Sequence, residues 1–143
     1  MSGVHWVVTD DPDPYALAEL EQNLADAARQ ATAAPVEVEL AVLHRDADGS
    51  LRGGAYGTVW GGICDVHGLW VRADLRGQGL GSDLIRRIES AAAERGCTQV
   101  LLLAYDVLVA GFFERLGYAV VGVVDEGPGG RPVRWFHKPL PAA

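Results

Sequence analysis

The sequence predicts an α/β fold with one mixed central sheet of about six to seven strands and helices on both faces. Three observations carry this prediction. Short β-rich runs and segments of helical periodicity follow one another in the order β-α-β-β-β-α-β-α-β-β. Val100–Ala104 is a continuous apolar run, typical of a strand buried on both faces. Ahead of it, a β-rich run ending at Val71 leads through a glycine-rich turn into a helix.

The first part of the chain predicts one strand and one long helix. Val4–Thr9 is rich in β-forming residues. Asp13 followed by Pro14 is a favourable helix start, because the carboxylate caps free amides and proline fits the first helical position. The predicted helix ends near Ala33. Its apolar residues recur at helical spacing: Leu17, Leu20, Leu24, Ala27, Ala28 and Ala31.

Three strands joined by two tight turns follow. Val36–His44 and Leu51–Trp60 are predicted to be hairpin partners around the loop Asp46–Ser50. Gly61–Gly62 then makes a second turn into the strand Ile63–Val71. Within the second strand, glycines weaken the β pattern and indicate bulges: Gly53, Gly54 and Gly57.

The second half alternates helices and strands. A helix from about Gly79 is predicted to end at Gly96, a residue suited to a left-handed helix cap. After the buried run come a short helix, Leu108–Leu116, and two strands, Tyr118–Val124 and Val133–Lys138. No internal repeat or long linker divides the sequence, so residues 1–143 are expected to form a single domain.

Composition and charge exclude several classes of function. The net charge of −7 argues against a nucleic-acid partner, because phosphate contacts require a basic surface. No apolar run approaches the ~20 residues of a membrane span, and no leader is evident at the N-terminus, so a cytoplasmic location is expected. Cys64 and Cys97 form no metal-ligand cluster. No metal is therefore expected, and both thiols are predicted to be buried apolar groups.

The glycine-rich turn is a candidate phosphate site. Gly77, Gly79 and Gly81 stand at alternate positions, where a ligand can approach the bare backbone. The amides up to Ser82 then lie unpaired at a helix N-terminus, and Arg76 adds a forked cation. Ser82 stands where a dinucleotide-binding motif needs glycine, and no lysine follows as in an NTP-binding loop. A structural turn without a ligand is the alternative.

This turn resembles the Arg/Gln-x-x-Gly-x-Gly/Ala loop of the GNAT-type N-acetyltransferases at the following residues: Arg76, Gln78, Gly79, Leu80 and Gly81. A second segment, Gly111–Tyr118, resembles the family's Phe-Tyr-Glu-Lys/Arg-Leu-Gly-Phe/Tyr. The resemblance covers about residues 36 to 138. The whole chain looks most like short bacterial members that carry Leu-Trp-Val before Arg-Gly-Gln-Gly-Leu-Gly.

The resemblance implies an acyltransferase that moves an acetyl group from acetyl-CoA to a primary amine of a small molecule, by direct attack in a ternary complex. The loop Arg76–Ser82 would hold the pyrophosphate. Backbone groups of Leu69, Trp70 and Val71 would bond the acetyl oxygen and the pantetheine arm. The thioester would lie between the splayed ends of Ile63–Val71 and Val100–Tyr105. Edge strands of this architecture often pair, which is compatible with a homodimer.

His67 is the candidate general base. Relatives with the Leu-Trp-Val pattern often carry a glutamate at this place, and an imidazole accepts a proton near neutral pH. Asp65, two residues earlier on the same strand face, would favour the imidazolium or hold the ammonium group of a substrate. A structural histidine is the alternative. Cys64 is not expected to act with His67 as a nucleophile, because residues three apart on a strand point to opposite faces.

The family's usual general acid is missing from this sequence. Phe113 occupies the place of the family's usual tyrosine and has no proton to donate. Water or Tyr105, at the end of the neighbouring strand, would then protonate the departing thiolate. An ordinary strand-end tyrosine is the alternative for Tyr105.

Two other functions stay open at this point. A non-catalytic acyl-CoA-binding or regulatory module would explain Phe113 and the apolar run Val107–Ala110, where relatives often carry polar residues. An interaction protein that binds no CoA would leave Arg76 and the loop amides without a role.

Overall fold

The computed structural model describes residues 3–32, 37–105 and 107–141 and separates into two compact units, Met1–Val36 and Glu37–Ala143. The first unit contains α1, Pro14–Thr32. Its start confirms the predicted cap, because the Tyr15 amide donates to the Asp13 carboxylate over 3.0 Å. The predicted helix end at Ala33 and the strand start at Val36 lie outside the described residues.

The predicted strand Val4–Thr9 is wrong. The described residues contain six strands, and none of them includes this segment. High β-propensity describes side chains that suit a pleated surface, but a strand forms only where a neighbouring strand completes its hydrogen-bond ladder.

The second unit is built on a six-stranded mixed sheet in the order β1-β2-β3-β4-β6-β5. Only β3 and β4 run parallel; the other neighbours are antiparallel. The strands are β1 Val38–Arg45, β2 Leu51–Trp60, β3 Ile63–Val71, β4 Gln99–Ala104, β5 Ala119–Val124 and β6 Val133–Pro139. Two helices accompany them, α2 Leu80–Glu94 and α3 Val107–Arg115. The predicted mixed α/β fold is thereby confirmed.

The core lies between one face of this sheet and its two helices. Leu84, Ile85 and Ile88 of α2 are fully buried together with Val100 and Phe136 of the strands, among others. Phe113 of α3 packs against Phe136 with ring centroids 5.8 Å apart, which places α3 on the same face. Within this unit, the helices therefore lie on one face of the sheet, whereas helices on both faces were predicted. α2 ends at Glu94, and Gly96 follows two residues later with a φ of 85°, the left-handed conformation predicted for the residue that stops this helix.

The two parallel strands separate towards their carboxyl ends. β3 and β4 pair only from Ile63–Gln99 to Val66–Leu102, although β3 continues to Val71 and β4 to Ala104. This agrees with the splayed strand ends that the family resemblance implied. The main chain of the last part of β3 is therefore without a ladder on its β4 side, immediately before the glycine-rich turn.

Candidate active site

The glycine-rich turn has the backbone shape that the sequence predicts. Gly77 and Gly79 adopt φ values of 79° and 88°, in the left-handed region that glycine enters without steric cost. Gly79 directly precedes α2, and the first helical bond runs from the Asp83 amide to the Gly79 carbonyl over 3.1 Å. The amides of Leu80, Gly81 and Ser82 come before that bond, so they have no helical acceptor and carry the partial positive charge of the helix N-terminus.

Two hydrogen bonds from side chains to the backbone stabilise this turn. Arg76 Nε donates to the Val71 carbonyl over 3.0 Å, which keeps its guanidinium beside the turn. Gln78 Nε2 donates to the Asp74 carbonyl over 3.4 Å. The side chains of Arg76 and Gln78, which both precede Gly79 in the motif, thus stabilise the backbone that carries these amides.

A network of four charged side chains joins the turn to the β1–β2 hairpin. Arg72 donates to Asp74 over 2.7 Å and to Asp46 over 2.8 Å, and Arg52 donates to Asp46 over 2.8 Å. Hydrogen bonds from Arg52 and Arg72 hold the pKa of Asp46 below its usual range, and Arg72 does the same for the pKa of Asp74. Sequence reasoning missed this network, because no short-range pattern links Asp46 to Arg72.

His67 lies at a β-bulge. Tyr56 pairs with Gly68 and Gly57 pairs with Val66, so His67 is the extra residue on β3. Its Nε2 is 3.3 Å from Asp65 Oδ2 and 3.5 Å from Thr58 Oγ1, and its side chain is 41% exposed. The structure therefore brings the predicted pair His67 and Asp65 into contact, and it adds Thr58, which the sequence did not indicate.

A cavity of about 320 Å³ opens beside this histidine. Glu39, Tyr56, Thr58 and His67 contribute to its walls. The Tyr56 ring meets the His67 ring edge-on, with centroids 5.9 Å apart. Side chains alternate along a strand, and Leu40 and Val66 face the helices, so the cavity lies on the opposite face of the sheet. A more open depression of about 500 Å³ runs along α2 and contains none of the predicted site residues.

The structure does not bring Phe113 to the glycine-rich turn. Phe113 is only 4% exposed and packs against Tyr118 and Phe136. Phe112 is the ring near the turn, because a Cβ added to Gly81 would lie 3.4 Å from its Cζ. Neither ring carries a hydroxyl. The side chains of Val107, Leu108 and Ala110, part of the apolar run noted in the sequence, lie outside the described part of the chain.

Tyr105 directly follows β4 and is 54% exposed. Within the described ranges its hydroxyl has no hydrogen bond, to His67 or to any other group. Leu69, Trp70 and Val71 pair with β2 on one side, opposite Ala55, Gly54 and Gly53 respectively. Their other side faces the gap between β3 and β4.

Cys64 and Cys97 are buried, as predicted. Burial raises the pKa of the Cys64 thiol to about 11, so at neutral pH it is protonated and a poor nucleophile. It also lies on the helix side of the sheet, away from His67. In the part of the chain that the structure describes, no group of three or more His, Cys, Asp or Glu side chains could hold a metal ion. No helix among the described residues is long and apolar enough to cross a membrane.

Residues 5–118 match the model of the acetyltransferase (GNAT) family. A blasticidin-S acetyltransferase of Streptomyces morookaense is 40% identical over 83 residues, which are 57% of this chain and 61% of that protein. The chain thus spans about three-fifths of the length of this relative.

Two solved structures show the fold. A protein of Agrobacterium tumefaciens, assigned as an acetyltransferase, superposes with a TM-score of 0.89 at 24% identity, covering 96% of this chain and 100% of that one. An aminoglycoside 6'-N-acetyltransferase complexed with coenzyme A superposes with a TM-score of 0.63 at 22% identity, covering 94% of this chain and 97% of that one.

Proposed function

The chain belongs to the acetyltransferase (GNAT) family, and from this premise we propose that it is an acetyl-CoA-dependent N-acetyltransferase acting on a primary amine of a small molecule. The observation that carries the proposal is the row of unpaired amides at the N-terminus of α2, beside the gap where β3 and β4 part. Backbone amides at a helix N-terminus bind phosphate, and the gap gives a thioester access to the sheet.

The glycine-rich turn and the end of β3 have separate proposed roles. The amides of Gly77–Ser82 and the guanidinium of Arg76 would hold the pyrophosphate of acetyl-CoA. Main-chain groups of Leu69–Val71 on the side of the gap would bond the acetyl oxygen and the pantetheine arm. When bound, acetyl-CoA supplies an activated acyl group with a thiolate as its leaving group.

His67 is proposed to deprotonate the amine, directly or through a water. With the proton of the ring on Nε2, directed at Asp65, its Nδ1 has a lone pair that can accept the amine proton. The amine nitrogen then bonds to the acetyl carbon while the carbon–sulfur bond breaks, and its electron pair leaves with sulfur. Water or Tyr105 would protonate the thiolate. Asp65 would orient His67 or hold the substrate's ammonium group.

The acceptor class rests on the cavity and on relatives. The cavity beside His67 has the size of a small-molecule site. The names of two relatives, a blasticidin-S acetyltransferase and an aminoglycoside 6'-N-acetyltransferase, support a small acceptor. A cytoplasmic location, no nucleic-acid or membrane partner and a homodimer through edge strands also stay proposals.

A direct test is a thiol-release assay with purified protein, acetyl-CoA and a broad amine panel. We expect acetyl-CoA consumption that depends on an amine.

Binding of acetyl-CoA without turnover for any amine or peptide would instead favour the second candidate, a non-catalytic acyl-CoA-binding module. The absence of a hydroxyl on both Phe112 and Phe113 is the observation that favours that candidate.

A further inference from the structure

Glu39 contributes a carboxylate to the wall of the cavity beside His67, in addition to the carboxylate of Asp65 that contacts His67. Glu39 pairs with Thr58 across β1 and β2, and Thr58 pairs with Asp65 across β2 and β3. The three residues therefore form one row on one face of the sheet. Neighbouring strands lie about 4.8 Å apart, so the row separates the Glu39 and Asp65 backbones by about 10 Å.

The row has a carboxylate at each end, Glu39 and Asp65, and the uncharged Thr58 between them. Within residues 3–32, 37–105 and 107–141, the Glu39 carboxylate makes no ion pair, and the Asp65 carboxylate pairs only with His67. Among the residues that the structure describes, no lysine or arginine contributes to the cavity wall. Thr58 stands between the two carboxylate residues in the row, and Tyr56, two residues earlier on β2, contributes to the wall of the same cavity. A ligand with a cation at each end and an apolar link matches this arrangement.

We propose that Glu39 determines acceptor specificity by binding a second cationic group, an ammonium or a guanidinium, of a dicationic amine. This inference rests on the proposed function, because it takes the reacting amine to lie at His67 and Asp65. With that amine placed there, the second group of a short flexible molecule reaches the Glu39 carboxylate, where a charge-assisted hydrogen bond forms. A monoamine of equal length would leave Glu39 without a partner.

The probes are α,ω-diaminoalkanes from 1,3-diaminopropane to 1,8-diaminooctane, each compared with the n-alkylamine of the same chain length. Isothermal titration into the full chain with coenzyme A present measures binding without any transfer. Wild type should bind at least one diamine about 10-fold or more tightly than its monoamine. Glu39→Gln should lose most of that preference and leave monoamine binding unchanged.

Glu94→Gln is the matched control, because it removes an exposed carboxylate from α2, which packs on the other face of the sheet. It should keep the diamine preference. The inference is overturned if wild type prefers no diamine, or if Glu39→Gln keeps the preference in full. Its failure is separable from failure of the proposed function, since the titration needs no turnover and the thiol-release assay needs no diamine preference.

Discussion

At the scale of single residues, the bulge at His67 is the feature with the most chemical consequence. An extra residue on β3 re-aims the side chain and disrupts the local ladder. Here it brings the imidazole against Asp65, Thr58 and Tyr56 at the wall of a cavity.

Substitution of His67 by alanine should lower kcat by about 10²–10⁴-fold, because a positioned base contributes that much to proton transfer. The dissociation constant of acetyl-CoA should change little, because His67 is not part of the glycine-rich turn. Steady-state kinetics with the best amine of the panel and a titration of acetyl-CoA give the two numbers.

His44→Ala on β1 is the control for loss of an exposed histidine, and it should keep wild-type kcat. Equal turnover of His67→Ala and wild type would remove His67 from the mechanism.

At the scale of the elements, a buried polar cluster ties α2 to the far part of the sheet. Glu89 on α2 is 9% exposed and accepts hydrogen bonds from the Tyr118 hydroxyl over 2.6 Å and from Lys138 Nζ over 3.1 Å. Burial, with Glu89 as a further cause, raises the pKa of Tyr118 well above its ordinary value. A carboxylate is tolerated there because both partners satisfy its oxygens.

Loss of the tyrosine hydroxyl should destabilise this connection. Tyr118→Phe removes the shorter of the two hydrogen bonds to Glu89 Oε2 and leaves Lys138 Nζ as the donor to that oxygen. Loss of a buried hydrogen bond to a charged group costs about 1–3 kcal/mol of the free energy of unfolding. Urea denaturation measures it. Tyr105→Phe, which removes an exposed hydroxyl, should stay within about 0.5 kcal/mol of wild type. Equal stabilities of the two variants would show that the cluster contributes nothing.

The network around Asp46 predicts a specific pH dependence. Its pKa is lowered in the folded state, first by Arg52 and then by Arg72, from an ordinary value of 3.8. The stability that such a group contributes is present above the unfolded-state pKa and is lost as pH falls through the folded-state pKa. The contribution of Asp46 to the wild-type Tm should therefore be lost as the pH falls below about 4.

Asp46→Asn should have a lower Tm at neutral pH and a shallower decrease in acid, as followed by circular dichroism across this range. Asp125→Asn, in the loop after β5, is the control and should follow the wild-type curve. Parallel curves for Asp46→Asn and wild type would contradict a stabilising role for the network.

At the scale of the whole molecule, sequence patterns predicted what depends on neighbouring residues. The turn at Gly77–Gly81, the cap at Gly96 and the bounds of β2 and β3 follow from local backbone preferences, and the structure has them. Features that need distant partners were predicted less well. A bulge was expected in β2 at Gly57, and the register does shift beside it, but the extra residue is His67 on β3. The Asp46–Arg72 contact, which joins residues 26 positions apart, was missed. Val4–Thr9 has the composition of a strand but forms none.

A calorimetric titration with acetyl-CoA measures whether the amides after Gly79 bind its pyrophosphate. Wild type should bind, and Gly79→Asp should abolish binding by placing a negative side chain among those amides. Gly61→Asp is the matched control, because Gly61 is also left-handed with open space around it. We expect wild type and Gly61→Asp to bind acetyl-CoA and Gly79→Asp not to bind it. Absence of binding by wild type, or full binding by Gly79→Asp, would show that these amides do not hold the pyrophosphate.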